Sequence, residues 1–303
     1  MSLPWICLIS VPRSGTNQVS TVLNNFARIE VYLEWFRPLG PSFTTPEMVR
    51  RFSVLSGQSF RDHDDPAFGA WIHDNVDATL AELERSARPG SRAAMVKLFD
   101  DHLPRHDIQR HLFDRPGMHV LLVERTPIDT YVSFAKARTV KKWINYDTTD
   151  VRPVLDVAHF FRWHSGKSDW FGWLDAEIAR RGLPVARLHY DRDIAPGTDH
   201  TMQRLAEVLH GFGLPARLSA RSHAIRALGR LETTPLRPLV RASGLPTQLG
   251  LDRQDQAETR ADKVANWDEF CQAVRARDGS LDRFERFFTG QPGDERRAAA
   301  SAR

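Results

Sequence analysis

A short apolar run near the N-terminus passes through a tight turn directly into a helical pattern, and this feature constrains the fold more than any other. Residues 5–11 are typical of a buried strand, residues 12–15 of a turn, and residues 16–26 space their apolar side chains along one helical face. Because a strand, a tight turn and a helix open many nucleotide-binding folds, this segment predicts an α/β architecture.

The same alternation of strands and helices continues along the chain. Further buried strands are predicted at residues 93–99, 118–123 and 184–188. Helices are predicted at residues 66–88, 105–113, 127–140, 153–181, 201–212, 259–277 and 280–288. Strands that alternate with helices form a parallel sheet covered on both faces. The sequence therefore predicts a P-loop-like α/β fold, with a central parallel sheet of four or five strands flanked by helices.

The length of 303 residues suits one large domain, which we expect to span residues 1–290. Residues 219–255 are rich in Arg, Pro and Gly and show no clear period, so they are predicted to form an extended arm or lid. Residues 291–303 are polar and rich in Ala, which predicts a disordered tail.

The turn after the first strand has the chemistry of a phosphate-binding loop. The first backbone N–H groups of a helix have no internal partner, and the helix dipole favours an anion there. Gly15 lets the backbone approach a phosphate closely, and Arg13 adds a charge-assisted bond. The hydroxyl groups of Ser14 and Thr16 are further donors, and Asn17 completes the motif. A Walker motif is absent from the sequence, which argues against an ATPase or a kinase.

A second charged motif follows the strand at 118–123. Arg125 stands at the end of this strand, and Ser133 follows it by eight residues, about two turns into the next predicted helix. That spacing turns Ser133 back toward Arg125. Alone, the pattern is also typical of an ordinary helix start beside a surface arginine.

Together, the two motifs resemble the nucleotide-binding motifs of sulfotransferases that use 3′-phosphoadenosine 5′-phosphosulfate (PAPS). The closer resemblance is to the bacterial carbohydrate and trehalose sulfotransferase branch, which often has Arg at the position of Arg13. It implies that residues 12–17 bind the 5′-phosphosulfate and that Arg125 and Ser133 bind the 3′-phosphate. It also implies that the basic stretch around Arg253 closes over the nucleotide, that 3′-phosphoadenosine 5′-phosphate (PAP) is the product, and that no metal is required.

Two residues are candidates for the general base that deprotonates the acceptor hydroxyl. Glu34 lies in a Glu-Trp-Phe segment that resembles the Glu-containing segment of the trehalose sulfotransferase branch. His102 lies in a His-Leu-Pro segment that resembles the His-containing segment of animal enzymes. The sequence leaves the choice between Glu34 and His102 open. Arg13 is expected to contribute to catalysis as well as to binding, because it would contact the transferred group.

Composition limits the partners and the setting of the chain. The net charge of +4 fits an anionic nucleotide and weak attraction to a membrane surface. No dense Lys/Arg run interleaved with aromatic residues indicates nucleic-acid binding. The two cysteines, Cys7 and Cys271, are far apart and lie in apolar patterns, and no secretion signal precedes the first strand, so a cytoplasmic protein is expected.

The expected acceptor is a hydroxyl group of a small molecule, carbohydrate or lipid, and the sequence names neither that molecule nor an oligomeric state. No metal site is predicted. Two alternatives remain beside a sulfotransferase: a nucleotide-binding module without catalytic activity, and a nucleotide-dependent kinase of P-loop type.

Overall fold

A computed structural model shows a five-stranded parallel sheet with helices on both faces. It describes residues 2–42, 44–143, 146–231, 246, 248–251, 255 and 259–289. The strand order is β2-β3-β1-β4-β5, and every neighbouring pair is parallel. The strands are β1 (Trp5–Ile9), β2 (Ile29–Val31), β3 (Ala93–Leu98), β4 (Met118–Glu124) and β5 (Val185–His189). The predicted fold class, an α/β fold with a central parallel sheet flanked by helices, is confirmed. The sequence pattern located four of these strands, and the three-residue β2 completes the sheet.

Helices connect the strands and cover the sheet. They are α1 (Thr16–Leu23), α2 (Pro46–Ser56), α3 (Pro66–Asp74), α4 (Val76–Ser86), α5 (Arg105–Asp107, continued by a wider turn at Ile108–Phe113), α6 (Pro127–Val140), α7 (Val157–Arg181), α8 (Thr198–Gly211), α9 (Ala220–Leu231), α10 (Arg260–Lys263), α11 (Trp267–Asp278) and α12 (Asp282–Glu285). Within the part of the chain described, none of these helices is both long enough and apolar enough to cross a bilayer.

The core has two layers because β1 is buried on both faces. Trp5, Cys7 and Ile9 point into the layer formed with α2, α3, α4 and α7. Ile6 and Leu8 point into the opposite layer, which is formed with α1 and α8. Alternate residues of a strand face opposite sides of the sheet, so a continuous apolar run fits a central strand of this kind. A third apolar cluster joins α6 to α7, α11 and α12.

Two predicted helices are broken at an asparagine whose side chain hydrogen-bonds to the backbone. The predicted helix at 66–88 divides at Asn75, which leaves the helical conformation and donates its side-chain amide to Trp71 O. The predicted helix at 259–277 divides between Lys263 and Trp267, because Asn266 pairs with both backbone groups of Leu155. In both cases a side-chain amide competes with the helical backbone bonds.

Within the segment predicted as an extended arm or lid, residues 219–255, residues 220–231 form α9. Ile225 of this helix is buried in the core layer of α1 and α8. Ser222 Oγ donates to Asn25 O at 3.0 Å. The apolar contact and this hydrogen bond hold the segment as a helix despite its many arginines. Of the rest of the arm only residues 246, 248–251 and 255 are described. Arg253 and residues 291–303, the predicted tail, lie outside the described residues.

Buried carboxylates attach the C-terminal helices to β4 and α6. Arg260 of α10 donates two hydrogen bonds to Asp129 of α6, each 2.9 Å long, and also binds Glu285. Glu124 at the end of β4 is fully buried and accepts hydrogen bonds from both the backbone and the hydroxyl group of Thr289. Burial raises the pKa of Glu124. Burial alone would also raise the pKa of Asp129, but the hydrogen bonds and charge of Arg260 outweigh it and hold that pKa well below its usual range.

Substituting Asp129 should therefore reduce stability in a pH-dependent way. Asp129→Asn keeps the size of the side chain and removes its charge, so we expect a loss of about 3 kcal/mol in the free energy of unfolding at pH 7. Because the folded-state pKa of Asp129 is lowered, its contribution is complete above the unfolded value of about 4 and is lost as the pH falls toward the folded value. Urea unfolding at pH 7 and pH 3 measures this difference. The exposed Asp74→Asn is the control, and an equal loss at both pH values for Asp129→Asn would contradict the assignment.

Candidate functional site

The candidate site lies at the carboxyl ends of β1, β3 and β4. From β1 the chain turns to β2 and β3 on one side of the sheet, and then crosses to β4 on the other side. In open α/β sheets ligands bind at such a switch point, outside the carboxyl ends of the strands. Arg13, Ser14 and Gly15 lie in the loop after β1, His102 in the loop after β3 and Arg125 in the loop after β4. Of the other predicted site residues that the structure describes, Thr16 and Asn17 begin α1, Glu34 follows β2 and Ser133 lies within α6.

The loop after β1 has the backbone geometry of a close-approach turn. Arg13 and Gly15 have φ angles of 77° and 87°, in the left-handed region that L residues rarely adopt. Gly15 immediately precedes α1 and has no side chain that could cap the first backbone N–H groups of this helix. A Cβ atom at Gly15 would lie 2.6 Å from the ring of Tyr190. Ser14 is buried, and its hydroxyl oxygen has no hydrogen-bond partner among the described residues.

The two motifs predicted from the sequence meet at this loop. Arg13 Nε donates to Ser133 Oγ at 3.1 Å, and Arg125 Nη1 donates to Arg13 O at 3.4 Å. The guanidinium of Arg125 lies 4.2 Å from the ring centre of Tyr190, and its buried Nε has no hydrogen-bond partner in the described structure. Residues more than a hundred positions apart therefore present donors and positive charge to one place.

Further charged groups of both signs lie near this loop. Burial lowers the pKa of Arg13, and the nearby charge of Arg125 lowers it further. Lys136 lies one helical turn beyond Ser133 on α6 and is 1% exposed. Its Nζ lies 3.0 Å from Asp255 Oδ2, and the Nζ atom of Lys263 lies 3.9 Å from the same oxygen. Neither of the two nucleotide motifs predicted from the sequence includes Lys136 or Lys263.

A second cluster links the start of α1 to Glu34. The ammonium group of Lys97 is buried in the sheet and lies 2.7 Å from both Asn17 Oδ1 and Glu34 Oε1. The oxygens of Asn17 and Glu34 are thus separated by no more than twice that distance. Burial lowers the pKa of Lys97, while the carboxylate of Glu34 acts in the opposite direction. A lysine within an otherwise apolar strand is the signal that could have identified Lys97 from the sequence.

His102 lies behind Glu34, away from solvent. Its Nε2 is 4.0 Å from Glu34 Oε2, and its side chain is 2% exposed, compared with 17% for Glu34. Burial lowers the pKa of His102, with Glu34 opposing the shift, so the imidazole is neutral near pH 7. The structure therefore places both predicted base candidates in one cluster, with Glu34 the more accessible of the two.

The segment that follows Glu34 leads to a surface cavity. Ser42 N donates to Glu34 O at 3.1 Å, which closes residues 34–42 into a loop. The loop borders a cavity of about 520 Å³. The cavity is lined by Pro38, Leu39, Asp64, Pro66, Ala70 and His73.

Comparisons with known proteins add little to this geometry. No protein-family model matches the chain, and no curated protein matches it. Among solved structures, the sulfotransferase from Alicyclobacillus acidocaldarius aligns with 77% of this chain and 96% of its own, at 14% identity and a TM-score of 0.37. These values are too low to support an inference about activity.

The ring of Tyr190 lies so close to Gly15 that adding a methyl group at this residue should disturb the loop. Gly15→Ala should push the loop away from Tyr190 and weaken binding of inorganic sulfate about tenfold or more, because the backbone donors move. Calorimetry measures the affinity. Gly57→Ala is the matched control, since Gly57 also has a positive φ angle, of 69°, but open space around its Cβ position. The control should lose only about 1–2 kcal/mol of stability. Unchanged sulfate affinity in Gly15→Ala would show that the loop does not hold the anion.

Proposed function

We propose that the protein is a sulfotransferase that moves the sulfuryl group of PAPS to a hydroxyl acceptor. The observation that carries the proposal is the hydrogen bond from Arg13 to Ser133, which joins the two nucleotide motifs at the switch point of the sheet. An isolated phosphate-binding loop would need only the first motif. The second motif gives the site a second place for a phosphate, as a bisphosphate nucleotide requires.

The residues present fit such a donor. Ser14 Oγ and Arg125 Nε are buried and lack hydrogen-bond partners among the described residues, and buried polar groups of this kind are normally satisfied. The uncapped start of α1 suits the 5′-phosphosulfate, with Arg13 and the backbone from Ser14 to Asn17 as donors. Arg125 and Ser133 suit the 3′-phosphate, and Lys136 lies one turn further along the same helix.

Glu34 is proposed as the general base, because it is the more exposed member of its cluster. Bound PAPS supplies an activated sulfuryl group: a bond from sulfur to the acceptor oxygen forms, the bond to the 5′-phosphate breaks, and its electron pair leaves on that phosphate. Glu34 accepts the proton of the acceptor hydroxyl. Lys97 orients the Glu34 carboxylate through Oε1. Arg13 stabilises the charge that develops between donor and acceptor.

The proposed acceptor is the hydroxyl group of a carbohydrate or glycolipid, within the broader class of small molecules and lipids. The cavity bordered by Leu39 and Asp64 combines apolar and polar atoms beyond Glu34, which suits the remote part of such a molecule. We propose a cytoplasmic location, where PAPS would be available.

Nucleotide selectivity tests the proposal against its rivals. Calorimetry with PAP, ATP and GTP, each with and without magnesium, should show tight binding of PAP alone and no need for magnesium. Transfer of label from radiolabelled PAPS to a panel of hydroxyl acceptors then tests catalysis. Binding of ATP that depends on magnesium would instead indicate a kinase. PAP binding without transfer to any acceptor would favour a non-catalytic nucleotide-binding module.

The 3′-phosphate contacts should be separable from the rest of the site. Ser133→Ala and Arg125→Ala should each weaken PAP binding by about tenfold to a hundredfold, since a hydrogen bond to a charged group is worth ~1.5–3 kcal/mol. Adenosine 5′-phosphosulfate lacks the 3′-phosphate, so its affinity should change little. Arg138→Ala removes an exposed charge from the same helix and is the control. Equal losses for both nucleotides would assign these residues to another part of the ligand.

The base should affect turnover without affecting nucleotide affinity. Glu34→Gln keeps the size of the side chain and removes its basicity, so turnover should fall by ~10²–10⁴ while PAP affinity stays unchanged. His102→Asn should have a smaller effect, because His102 is buried behind Glu34. The exposed Glu47→Gln controls for loss of a surface charge. Near-normal turnover in Glu34→Gln, together with inactive His102→Asn that still binds PAP, would identify His102 as the base.

A further inference from the structure

A groove on the surface formed by α7, α11 and α12 is lined mainly by cationic and hydroxyl side chains. Its volume is about 460 Å³. Arg162, Arg277 and Arg283 lie along it, with Ser165 and Ser168 on α7 between them. None of these residues belongs to the phosphate-binding loop or to the Glu34 cluster. The groove is therefore independent of the proposed function.

Two of the three guanidinium groups are fixed by the same aromatic ring. The guanidinium carbons of Arg277 and Arg283 lie 4.4 Å and 5.5 Å from the ring centre of Phe161. Arg283 also lies 4.6 Å from the ring centre of Phe284. Stacking on an aromatic face leaves the N–H groups at the edge of a guanidinium free to bind an anion. It also holds two like charges close together, which is unfavourable without a counter-ion.

The carboxylates nearby do not neutralise this charge. Arg283 pairs with Asp278, with Nη2 and Oδ1 2.8 Å apart. Neither Arg162 nor Arg277 forms an ion pair with a carboxylate among the described residues, and no carboxylate lines the groove. At least two positive charges in this groove are therefore not neutralised by a carboxylate of the described residues. By contrast, exposed arginines elsewhere on α7, such as Arg180, pair with a glutamate of the same helix.

His164 adds a neutral donor to the groove. Its ring packs against Phe284 and Phe288, with ring centres 4.8 Å and 5.7 Å apart. Burial, and after it the charge of Arg283, lower the pKa of His164 to about 4. The imidazole is therefore uncharged near pH 7 and reports on the local field, because an anion beside Arg283 would offset that charge.

We propose that this groove binds a tetrahedral dianion, a phosphate monoester group, at a site separate from the nucleotide site. Arginine is suited to such groups because its planar fork forms two parallel hydrogen bonds with their oxygens. The hydroxyl groups of Ser165 and Ser168, three residues apart on one helical face, supply further donors. The dianion belongs either to a soluble compound or to a lipid head group.

Nuclear magnetic resonance of the histidine side chains tests the proposal on the intact chain. The signals of His164, identified by their loss in His164→Gln, are followed during titration with sodium phosphate, against sodium chloride at equal ionic strength. A saturable shift specific to phosphate is expected. In Arg277→Gln/Arg283→Gln the apparent Kd should rise about tenfold or more. Arg275→Gln, which removes an exposed charge from the same helix, is the matched control and should leave the Kd unchanged.

Two further measurements complete the test. Ser165→Asp places a carboxylate in the groove without removing an arginine, and it should also abolish the phosphate-specific shift. Cosedimentation with phosphatidylcholine vesicles, with and without phosphatidic acid, distinguishes the source of the dianion: binding to phosphatidic acid that is lost in Arg277→Gln/Arg283→Gln indicates a lipid head group. If neither phosphate nor phosphatidic acid binding differs between the native protein and this double variant, the proposal is wrong.

Discussion

The candidate site depends on the register of β1 between its two neighbours. Ile9 is paired with Leu98 of β3 and with Leu122 of β4, so the three strands end at nearly the same level. Ser10 follows β1 directly, and its Oγ donates a hydrogen bond to Val123 O of β4 at 2.5 Å, which stabilises this alignment of the strand ends. Because neighbouring strands lie about 4.8 Å apart, the loops that follow them begin within reach of one another. A shift of one residue in either pairing would turn the buried side chains to the wrong layer and separate the loops.

The site is built from charges that are buried before any ligand binds. Removing an ammonium group or a carboxylate from water is costly unless partners replace the lost hydration. Lys97 meets this requirement with Glu34 and Asn17, and Arg13 meets part of it with Ser133. The positive groups are thus already oriented toward the place where an anion would lie. Such preorganisation reduces the rearrangement that binding or catalysis would otherwise require.

The sequence predicted the elements whose pattern is local, and it failed where distant contacts decide the structure. The strand, turn and helix around Gly15 follow from apolar spacing and one permissive residue, and the fold class follows from the alternation. The break at Asn266 depends on its hydrogen bonds with the distant Leu155, which no periodicity reveals. The roles of Lys97 and Lys136 were missed for a related reason, since a single lysine has no meaning until the fold supplies its partners.

The contacts of Glu124 and Asp129 also bear on the order in which the chain acquires its structure during synthesis. Both carboxylates flank Arg125, and both are satisfied by residues more than a hundred positions later: Thr289 for Glu124 and Arg260 for Asp129. While the ribosome is still adding α11 and α12, Arg260 and Thr289 have not yet reached these buried groups, although β1, β3 and β4 are already outside the exit tunnel. Until then Glu124 has the hydrogen bond from Arg187, and Asp129 has the one from Thr126. The Glu124 and Asp129 carboxylates therefore stay partly hydrated in the nascent chain, and this part of the sheet completes its packing only after the last helices have been synthesised.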